Sequence, residues 1–166
     1  MHTFTVAHPF PLSETRFWGE VFLDEAYNTA LYTEGLGFGF EQLSLETAAD
    51  GTISRSIRVI PALDLPKAAR KVMGDRISYI EQGTFDPVDQ RWRFALTPSK
   101  LAEKIKVSGE FWSTPDGDEG LNRHCKTDIS VKIFGVGGVV EKAVEKAFRE
   151  SYQKAAAFTA EWLQRS

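Results

Sequence analysis

The chain is poor in cysteine and lacks any long hydrophobic run, and both deficits exclude classes of protein. Cys125 is the only cysteine in 166 residues, so an internal disulfide framework is excluded and a reducing compartment is favoured. No apolar run approaches the ~20 residues that a transmembrane helix needs. The segment 1–5 has neither a basic nor an apolar stretch, unlike a signal peptide. We therefore expect a cytoplasmic protein with no integral membrane segment.

Motifs for metals, nucleotides and nucleophilic catalysis are missing as well. The three histidines are scattered along the chain and show no Cys/His spacing, so no metal site is predicted. Glycines within 135–138 precede a helix and could bind an anion. They lack the Lys-Ser/Thr pair of a P-loop, and a tight strand–helix joint is the simpler interpretation. Cys125 and Ser130 have no identifiable base partner. We predict no cofactor and no catalytic set, and enzymatic activity is left open.

What the chain does contain is the composition of an ordinary folded domain. Hydrophobic residues make up 42% and charged residues 26% of the sequence, as in typical globular proteins. The net charge of −3 gives no reason to expect a nucleic-acid partner. The length suits one domain, and no repeat or linker interrupts it. We predict a single domain over residues 1–166.

The C-terminal segment 135–166 has the strongest periodicity in the chain. Apolar residues recur there at helical spacing, at Val139, Val140, Ala143, Val144, Ala147, Phe148, Ala155, Thr159, Trp162 and Leu163. Charged residues occupy the other face, with Glu145–Arg149 and Glu150–Lys154 in the favourable order. A helix of about 27 residues would be about 40 Å long and needs a large apolar surface to cover its stripe.

The pattern in the rest of the chain predicts a sheet that supplies this apolar surface. A first strand is followed by two short helices capped by Ser13 and Asp24, the second closed by Gly35. About six strands with period-two alternation follow from Phe38 to Phe134, with a bulge near Glu41. One-sided alternation leaves one sheet face covered. The fold class is α+β: a curved antiparallel sheet of about seven strands, in the order β-α-α-β6-α, wrapped on the long C-terminal helix.

With this order, the sequence resembles the START-like, or Bet v 1-like (SRPBCC), helix-grip superfamily. The opening is similar to a bacterial uncharacterised START-like family at Phe17-Trp18, Phe22-Leu23-Asp24, Tyr27-Asn28, Leu31 and Gly37-Phe38. A weaker resemblance to the PRELI/MSF1 phospholipid carriers lies at Leu65-Pro66-Lys67, Arg70-Lys71, Gly74, Phe134-Gly135, Gly138, Glu141-Lys142, Arg149 and Lys154-Ala155. The resemblance implies a cavity between sheet and helix that holds a hydrophobic or amphipathic ligand, such as a lipid. PRELI-like proteins also work with a small partner subunit.

Three charged residues share the parity of the covered face. Arg55 lies between Ile53 and Ile57, Glu81 follows Tyr79, and Arg123 precedes Cys125. A charge in an apolar cavity is costly unless it is paired or hydrogen-bonded. Arg55 or Arg123 could therefore anchor the phosphate or carboxylate of a ligand. The alternative is that these residues pair with each other, lie near strand ends or turn outward at a bulge.

Aromatic residues are the second set of candidate ligand contacts. We predict that Tyr79, Trp92, Phe94, Phe111, Phe148 and Tyr152 line a cavity of a few hundred Å³. Bulky rings opposite the small residues of the long helix leave gaps more easily than interlocking aliphatic side chains. The alternative is a filled core.

The third candidate is the amphipathic insert 65–73. Lys67, Arg70 and Lys71 lie beside an apolar face, so this segment could act as a lid that contacts an anionic membrane surface transiently. The alternative is a solvated connection between two strands.

Two functions from different classes fit these features. The first is binding of a lipid or other hydrophobic small molecule in the cavity, with transport of that molecule as an extension of the same function. The second is a polyketide cyclase or dehydratase, with Glu81 as base, Tyr79 as hydrogen-bond donor and Arg55 as oxyanion partner. Fold analogy does not choose between them.

Overall fold

The computed structural model describes residues 1–165. Seven strands are formed by His2–Phe10 (β1), Gly39–Thr47 (β2), Ile53–Ile60 (β3), Tyr79–Asp86 (β4), Arg91–Pro98 (β5), Ile105–Pro115 (β6) and Leu121–Val131 (β7). Four α-helices are formed by Glu14–Arg16 (α1), Glu25–Ala30 (α2), Lys67–Met73 (α3) and Gly137–Trp162 (α4). The predicted fold class is confirmed, and the amphipathic insert 65–73 contains a helix, α3, that the predicted order did not include.

The seven strands make one antiparallel sheet in the order β1-β7-β6-β5-β4-β3-β2. Consecutive strands from β2 to β7 are neighbours, and β1 closes the far side by pairing with β7. Helix α4 packs across the sheet against β1 and β7, and α3 packs against α4. The core lies between the concave sheet face and α4.

A bulge lies near the position expected from the change of parity. Gln42 pairs with Ile57 and Ser44 with Ser56, so Leu43 is the extra residue. The side chains of Leu43 and Leu45 are both exposed. They belong to the edge strand β2, which lies at the opposite end of the sheet from β1 and β7, the strands against which α4 packs.

The two short helices begin at the expected caps and end in π-helical turns. Ser13 accepts from the Arg16 amide and Asp24 from the Tyr27 amide. Turns of π-helix over Phe17–Val21 and Leu31–Gly35 follow. Gly35 does not serve as the left-handed cap; a Cβ there would lie 2.9 Å from the Phe158 ring. The left-handed residue is Gly37, with φ of 71°.

Helix α4 buries a narrower stripe than the sequence indicates. Its buried residues are Val140, Val144, Tyr152, Ala155, Phe158 and Thr159. Val139 is exposed, and Phe134 is fully exposed because β7 ends at Val131 rather than continuing to Phe134. Within residues 1–165, no helix is long and apolar enough to cross a membrane.

Two glycines in the middle of strands make room for aromatic rings on the concave face. A Cβ at Gly83 would lie 2.1 Å from the Trp92 ring. A Cβ at Gly109 would lie 2.3 Å from the Lys126 carbonyl oxygen and 2.8 Å from the Phe94 ring. Glycine within a strand typically marks such a close approach. Both glycines pair with Phe94, one from each side.

Gly109→Ala should destabilise the fold by about 2–3 kcal/mol, because the new methyl group meets backbone that cannot swing away. Urea denaturation measures the change. Gly19→Ala is the matched control: nothing lies within 4 Å of its Cβ position, and alanine should stabilise a helical turn by about 0.5–1 kcal/mol. Equal midpoints for the two variants would contradict the packing argument.

Candidate functional site

A buried ion pair lies on the concave face between β3 and β4. Arg55 Nη2 donates to Glu81 Oε1 at 3.2 Å, and the two side chains are 3% and 12% exposed. Both residues therefore face the covered side, and they pair with each other, as one of the alternatives held. A buried pair of this kind costs desolvation energy, so its presence is weak support for a purely stabilising role.

The guanidinium of Arg55 rests on aromatic faces. Its Cζ lies 4.9 Å from the Trp92 ring centroid and 5.6 Å from that of Phe22. These contacts stabilise a cation by attraction to the ring faces. Nε and Nη1 of Arg55 have no hydrogen-bond partner within the described residues. Protein atoms therefore accept hydrogen bonds from only some of the donors of the Arg55 guanidinium group.

Glu81 is a carboxyl group held in an unfavourable place for charge. Burial raises its pKa above the ordinary value of 4.5, and the Arg55 guanidinium opposes that rise. The indole N–H of Trp92 also opposes it from nearby, although it makes no hydrogen bond of normal geometry. Desolvation outweighs the cation, so Glu81 takes a proton more readily than a surface glutamate.

Arg123, on β7, is a second buried guanidinium on the same face. Its side chain is 4% exposed. It donates through Nη2 to the Tyr152 carbonyl at 3.2 Å, and its Cζ lies 4.7 Å from the Phe10 centroid and 5.2 Å from that of Phe111. Nε has no partner within residues 1–165. Unlike Arg55, Arg123 forms no ion pair there.

These groups line an inner chamber between the sheet and α4. The chamber has a volume of about 80 Å³ and is lined by Phe22, Tyr27, Asn28, Leu31, Tyr32, Leu36, Phe38, Arg55, Tyr79, Glu81, Phe94, Phe111, Arg123, Phe148, Ser151, Tyr152 and Ala155. One water needs roughly 10–15 Å³ on this measure, so several would fit. The wall is aromatic with a few strong polar groups, as in small-ligand sites.

Four tyrosines supply the neutral polar groups of this chamber. Burial raises the pKa of Tyr27, Tyr32, Tyr79 and Tyr152, so their hydroxyls stay protonated. Tyr27 shares a hydrogen bond with Thr159 at 2.6 Å and Tyr152 one with Thr127 at 3.0 Å. The hydroxyls of Tyr32 and Tyr79 make none within the described residues.

An apolar chamber adjoins the inner one beneath α3. Its volume is about 70 Å³ and it is lined by Phe38, Pro61, Leu63, Met73, Ile77, Tyr79, Leu96, Pro98, Ile105, Val107, Val144, Ala147, Phe148 and Ser151. Met73 is buried while Lys67, Arg70 and Lys71 are exposed. The insert is therefore amphipathic, and its apolar face covers the chamber.

A third, outer chamber of about 280 Å³ opens beside α4, between Leu36 and the segment 62–64. Phe38 and Ser151 border all three chambers. Phe38 sits between Gly37 and Gly39, and Gly37 has the left-handed backbone. The three spaces therefore meet at one aromatic ring and one small helix residue.

The structure brings together eight of the nine residues expected to contact a ligand: Arg55, Tyr79, Glu81, Phe94, Phe111, Arg123, Phe148 and Tyr152. Trp92 is fully buried beneath Arg55 and lines none of the three chambers. The expected volume of a few hundred Å³ is wrong for the inner and apolar chambers. Rings packed edge to face, such as Phe111 on Tyr152 at 5.4 Å, fill the gaps that bulky side chains were expected to leave.

Sequence reasoning missed the wall contributed by the two short helices and the segment after them. Phe22, Tyr27, Tyr32 and Phe38 close the chamber on that side. The Gly-Phe-Gly run around Phe38 was a usable signal, because glycine on both sides of a ring permits an unusual approach. Within residues 1–165, no cluster of side chains is suited to a metal ion.

Glu81→Gln should change how stability depends on pH. Because the folded-state pKa of Glu81 lies above 4.5, its contribution is fully present below that pH and is lost as pH rises through the raised pKa. The wild type should therefore lose stability relative to Glu81→Gln from pH 4.5 upward, by at most about 1.4 kcal/mol per pH unit. Urea midpoints between pH 4 and 8 measure the difference; a constant difference would contradict the assignment.

Solved structures of similar shape share little sequence with this chain. A START superfamily protein from Mycobacterium smegmatis is 18% identical with a TM-score of 0.66, covering 99% of this chain and 100% of that chain. The Zhui aromatase/cyclase from Streptomyces sp. R1128 is 14% identical with a TM-score of 0.61, covering 99% and 98%. Ara h 8.0201 is 13% identical with a TM-score of 0.59, covering 95% and 97%. At these identities the likeness shows the fold alone.

A search of the curated proteins finds no match. A family model described as "Protein of unknown function (DUF2505)" matches residues 4–163, nearly the whole sequence. The chain therefore belongs to the DUF2505 family, and its fold is the START-like helix grip.

Proposed function

We propose that the protein binds, and carries, a lipid or another hydrophobic small molecule in the space between sheet and helix. The observation that carries this proposal is the arrangement of three adjoining chambers, polar inside, apolar beneath α3 and open beside α4. An apolar body can leave water in the second chamber while polar groups orient it in the first. The residues named for ligand contact are the eight that line the inner chamber, with Trp92 supporting Arg55 from below.

The small volumes of the inner and apolar chambers limit the shape of the ligand that they can hold. Phe38 separates them and lies on a glycine-flanked segment. Rotation of that ring would join the inner and outer spaces into one. We infer a ligand with a narrow apolar part rather than a fused, bulky skeleton. Within this proposal the protein acts as one domain in the cytoplasm, where the free, buried Cys125 stays reduced.

Ser151→Trp should block ligand binding, because an indole at this position would occupy the point where all three chambers meet. Native mass spectrometry after incubation with a mixture of lipids and fatty acids measures the bound fraction. The wild type should show a discrete added mass, and Ser151→Trp should reduce the bound fraction at least tenfold.

The matched control is Gln153→Trp, an exposed position on the same helix. It should bind like the wild type. A wild type that stays free of ligand under every condition would sink the carrier proposal and favour a filled core. Equal binding by Ser151→Trp would place the ligand outside these chambers.

The second candidate function is an enzyme that uses the same cavity. It is favoured by Glu81, whose pKa is raised by burial, as suits a general acid or base. Tyr79 and Arg55 lie in the same chamber as donors, and one structure of the same fold is described as an aromatase/cyclase. In the same mass spectra, conversion of the bound molecule to a new mass, absent in Glu81→Gln, would support the enzyme.

The membrane contact proposed for α3 is supported by the charge around it. Loops at this end of the sheet carry seven cations, Lys67, Arg70, Lys71, Arg76, Lys100, Lys104 and Lys132, against Asp64, Asp75 and Glu103. Turns at the opposite end carry Asp50, Asp89, Asp116, Asp118 and Glu119 and no cation. The fully exposed Phe134 lies at the basic end. An anionic bilayer would attract this end and repel the other.

A triple variant changes Lys67, Arg70 and Lys71 together to Glu. Its affinity for vesicles of anionic phospholipid, measured by co-sedimentation, should fall by roughly a hundredfold or more, because each cation contributes about 1 kcal/mol near such a surface. The control changes three other exposed cations, Arg58, Lys106 and Lys126, to Glu and so matches the change in net charge. An equal loss of vesicle affinity in both triple variants would mean that the effect depends on the net charge of the protein and not on the position of α3. No binding of wild type at low salt would remove the membrane contact from the proposal.

A further inference from the structure

We infer that the ligand is an anionic amphipath whose single acidic group binds Arg123 and whose aliphatic chain extends into the apolar chamber beneath α3. This inference rests on the proposed function and adds the chemical class of the ligand and its direction in the cavity. Carboxylate and phosphate monoester share the required chemistry, a small anion with at least two oxygens that accept hydrogen bonds.

The first support is an imbalance of charge inside the fold. The inner chamber is lined by two guanidinium groups, Arg55 and Arg123, and one carboxyl group, Glu81. Arginine stays protonated in proteins. If Glu81 is ionised the chamber carries one excess positive charge, and if it is protonated it carries two. An uncompensated charge in a buried place is costly, and an anion would offset it.

The second support distinguishes Arg123 from Arg55. Arg55 already has a carboxylate partner at 3.2 Å. Arg123 has no carboxylate partner within the described residues: it donates to the Tyr152 carbonyl, rests on aromatic faces and opposes the rise that burial causes in the pKa of Cys125. Its buried Nε has no hydrogen-bond partner there. Arg55 has two buried nitrogens without a partner, Nε and Nη1, but its charge is balanced by Glu81, so the uncompensated charge lies on Arg123.

The third support is a pair of neutral donors in the same chamber. Tyr32 and Tyr79 line it, and their hydroxyls make no hydrogen bond within residues 1–165. Because burial raises the pKa of both groups, each keeps its proton and can donate to an oxyanion. Donors without a protein partner, in a chamber that also contains two buried guanidinium groups, suit an acid group better than an alcohol or an ester.

The direction of the chain follows from the neighbouring chamber. Tyr79, Phe148 and Ser151 border both spaces, and beyond them the wall consists of Met73, Ile77 and other apolar residues. This chamber contains no charged side chain. An aliphatic chain attached to an acid on Arg123 would therefore leave the polar chamber past Phe148 and end beneath α3.

The test compares ligands that share one chain and differ only at the polar end. Isothermal titration calorimetry at pH 7.5 with decanoate, decyl phosphate and decanol measures Kd for wild type, Arg123→Gln and Arg123→Lys. The wild type should bind at least one acid roughly tenfold or more tighter than decanol, as expected for a charge-assisted hydrogen bond. Arg123→Gln should abolish this preference by weakening the binding of the acids at least tenfold more than the binding of decanol. Arg123→Lys should keep part of it. The ratio of decanoate to decyl phosphate shows which acid is preferred.

The control is Arg58→Gln, which removes an exposed arginine on the outer face of β3 and should keep the preference. Unfolding curves for every variant separate loss of binding from loss of fold. Equal affinity for acid and alcohol in the wild type would overturn the inference and leave the proposed function standing. Absence of binding for all three ligands would count against both. Loss of the preference in Arg55→Leu but not in Arg123→Gln would move the anion to the other guanidinium and overturn the assignment.

Discussion

Charge buried between a curved sheet and one long helix is the constraint on which the rest of this structure depends. Arg55, Glu81 and Arg123 point from the strands toward α4, where bare apolar packing would be cheaper. To keep these groups, the fold surrounds the guanidinium groups with ring faces, places Trp92 beneath Arg55 and removes side chains at Gly83 and Gly109. The aromatic content of the chain is thus tied to its buried charge as much as to its apolar core.

The same arrangement explains why the cavity is divided. Rings that stabilise the cations also fill space, so the inner chamber is small. The chamber beneath α3 is lined mainly by aliphatic residues and proline, and Phe38, Tyr79 and Phe148 lie where it borders the inner chamber. Phe38 stands where the chambers meet, on a segment whose glycine neighbours permit a change of backbone angle. Polar recognition and apolar burial are therefore separated in space, which is the arrangement expected for an amphipathic molecule rather than a uniformly apolar one.

The molecule also has two ends of opposite character. Cations cluster in the loops beside the apolar chamber and acids in the turns at the far end, although the net charge of the chain is only −3. The net charge therefore does not reveal this separation of cations from acids. The separation gives the molecule a dipole that could orient the cavity toward an anionic surface. The site and the surface that surrounds it both support the function proposed above, uptake or delivery of an anionic amphipath.

The sequence by itself determined the α+β class, the seven strands and the long C-terminal helix, and the caps at Ser13 and Asp24. It favoured an inward direction for Arg55, Glu81 and Arg123 by parity, and left open that they turn outward. Periodicity of two and of 3.6 residues reports which face of a strand or helix is covered, and these features depend on little else. Only the tertiary structure decided which arginine has an acid partner, that Trp92 lies under Arg55 rather than in the cavity wall, and that Phe38 borders three chambers. Those outcomes depend on distances between segments remote in sequence, such as Arg123 and the Tyr152 carbonyl, and on how rings fill volume. A one-dimensional pattern carries neither kind of information.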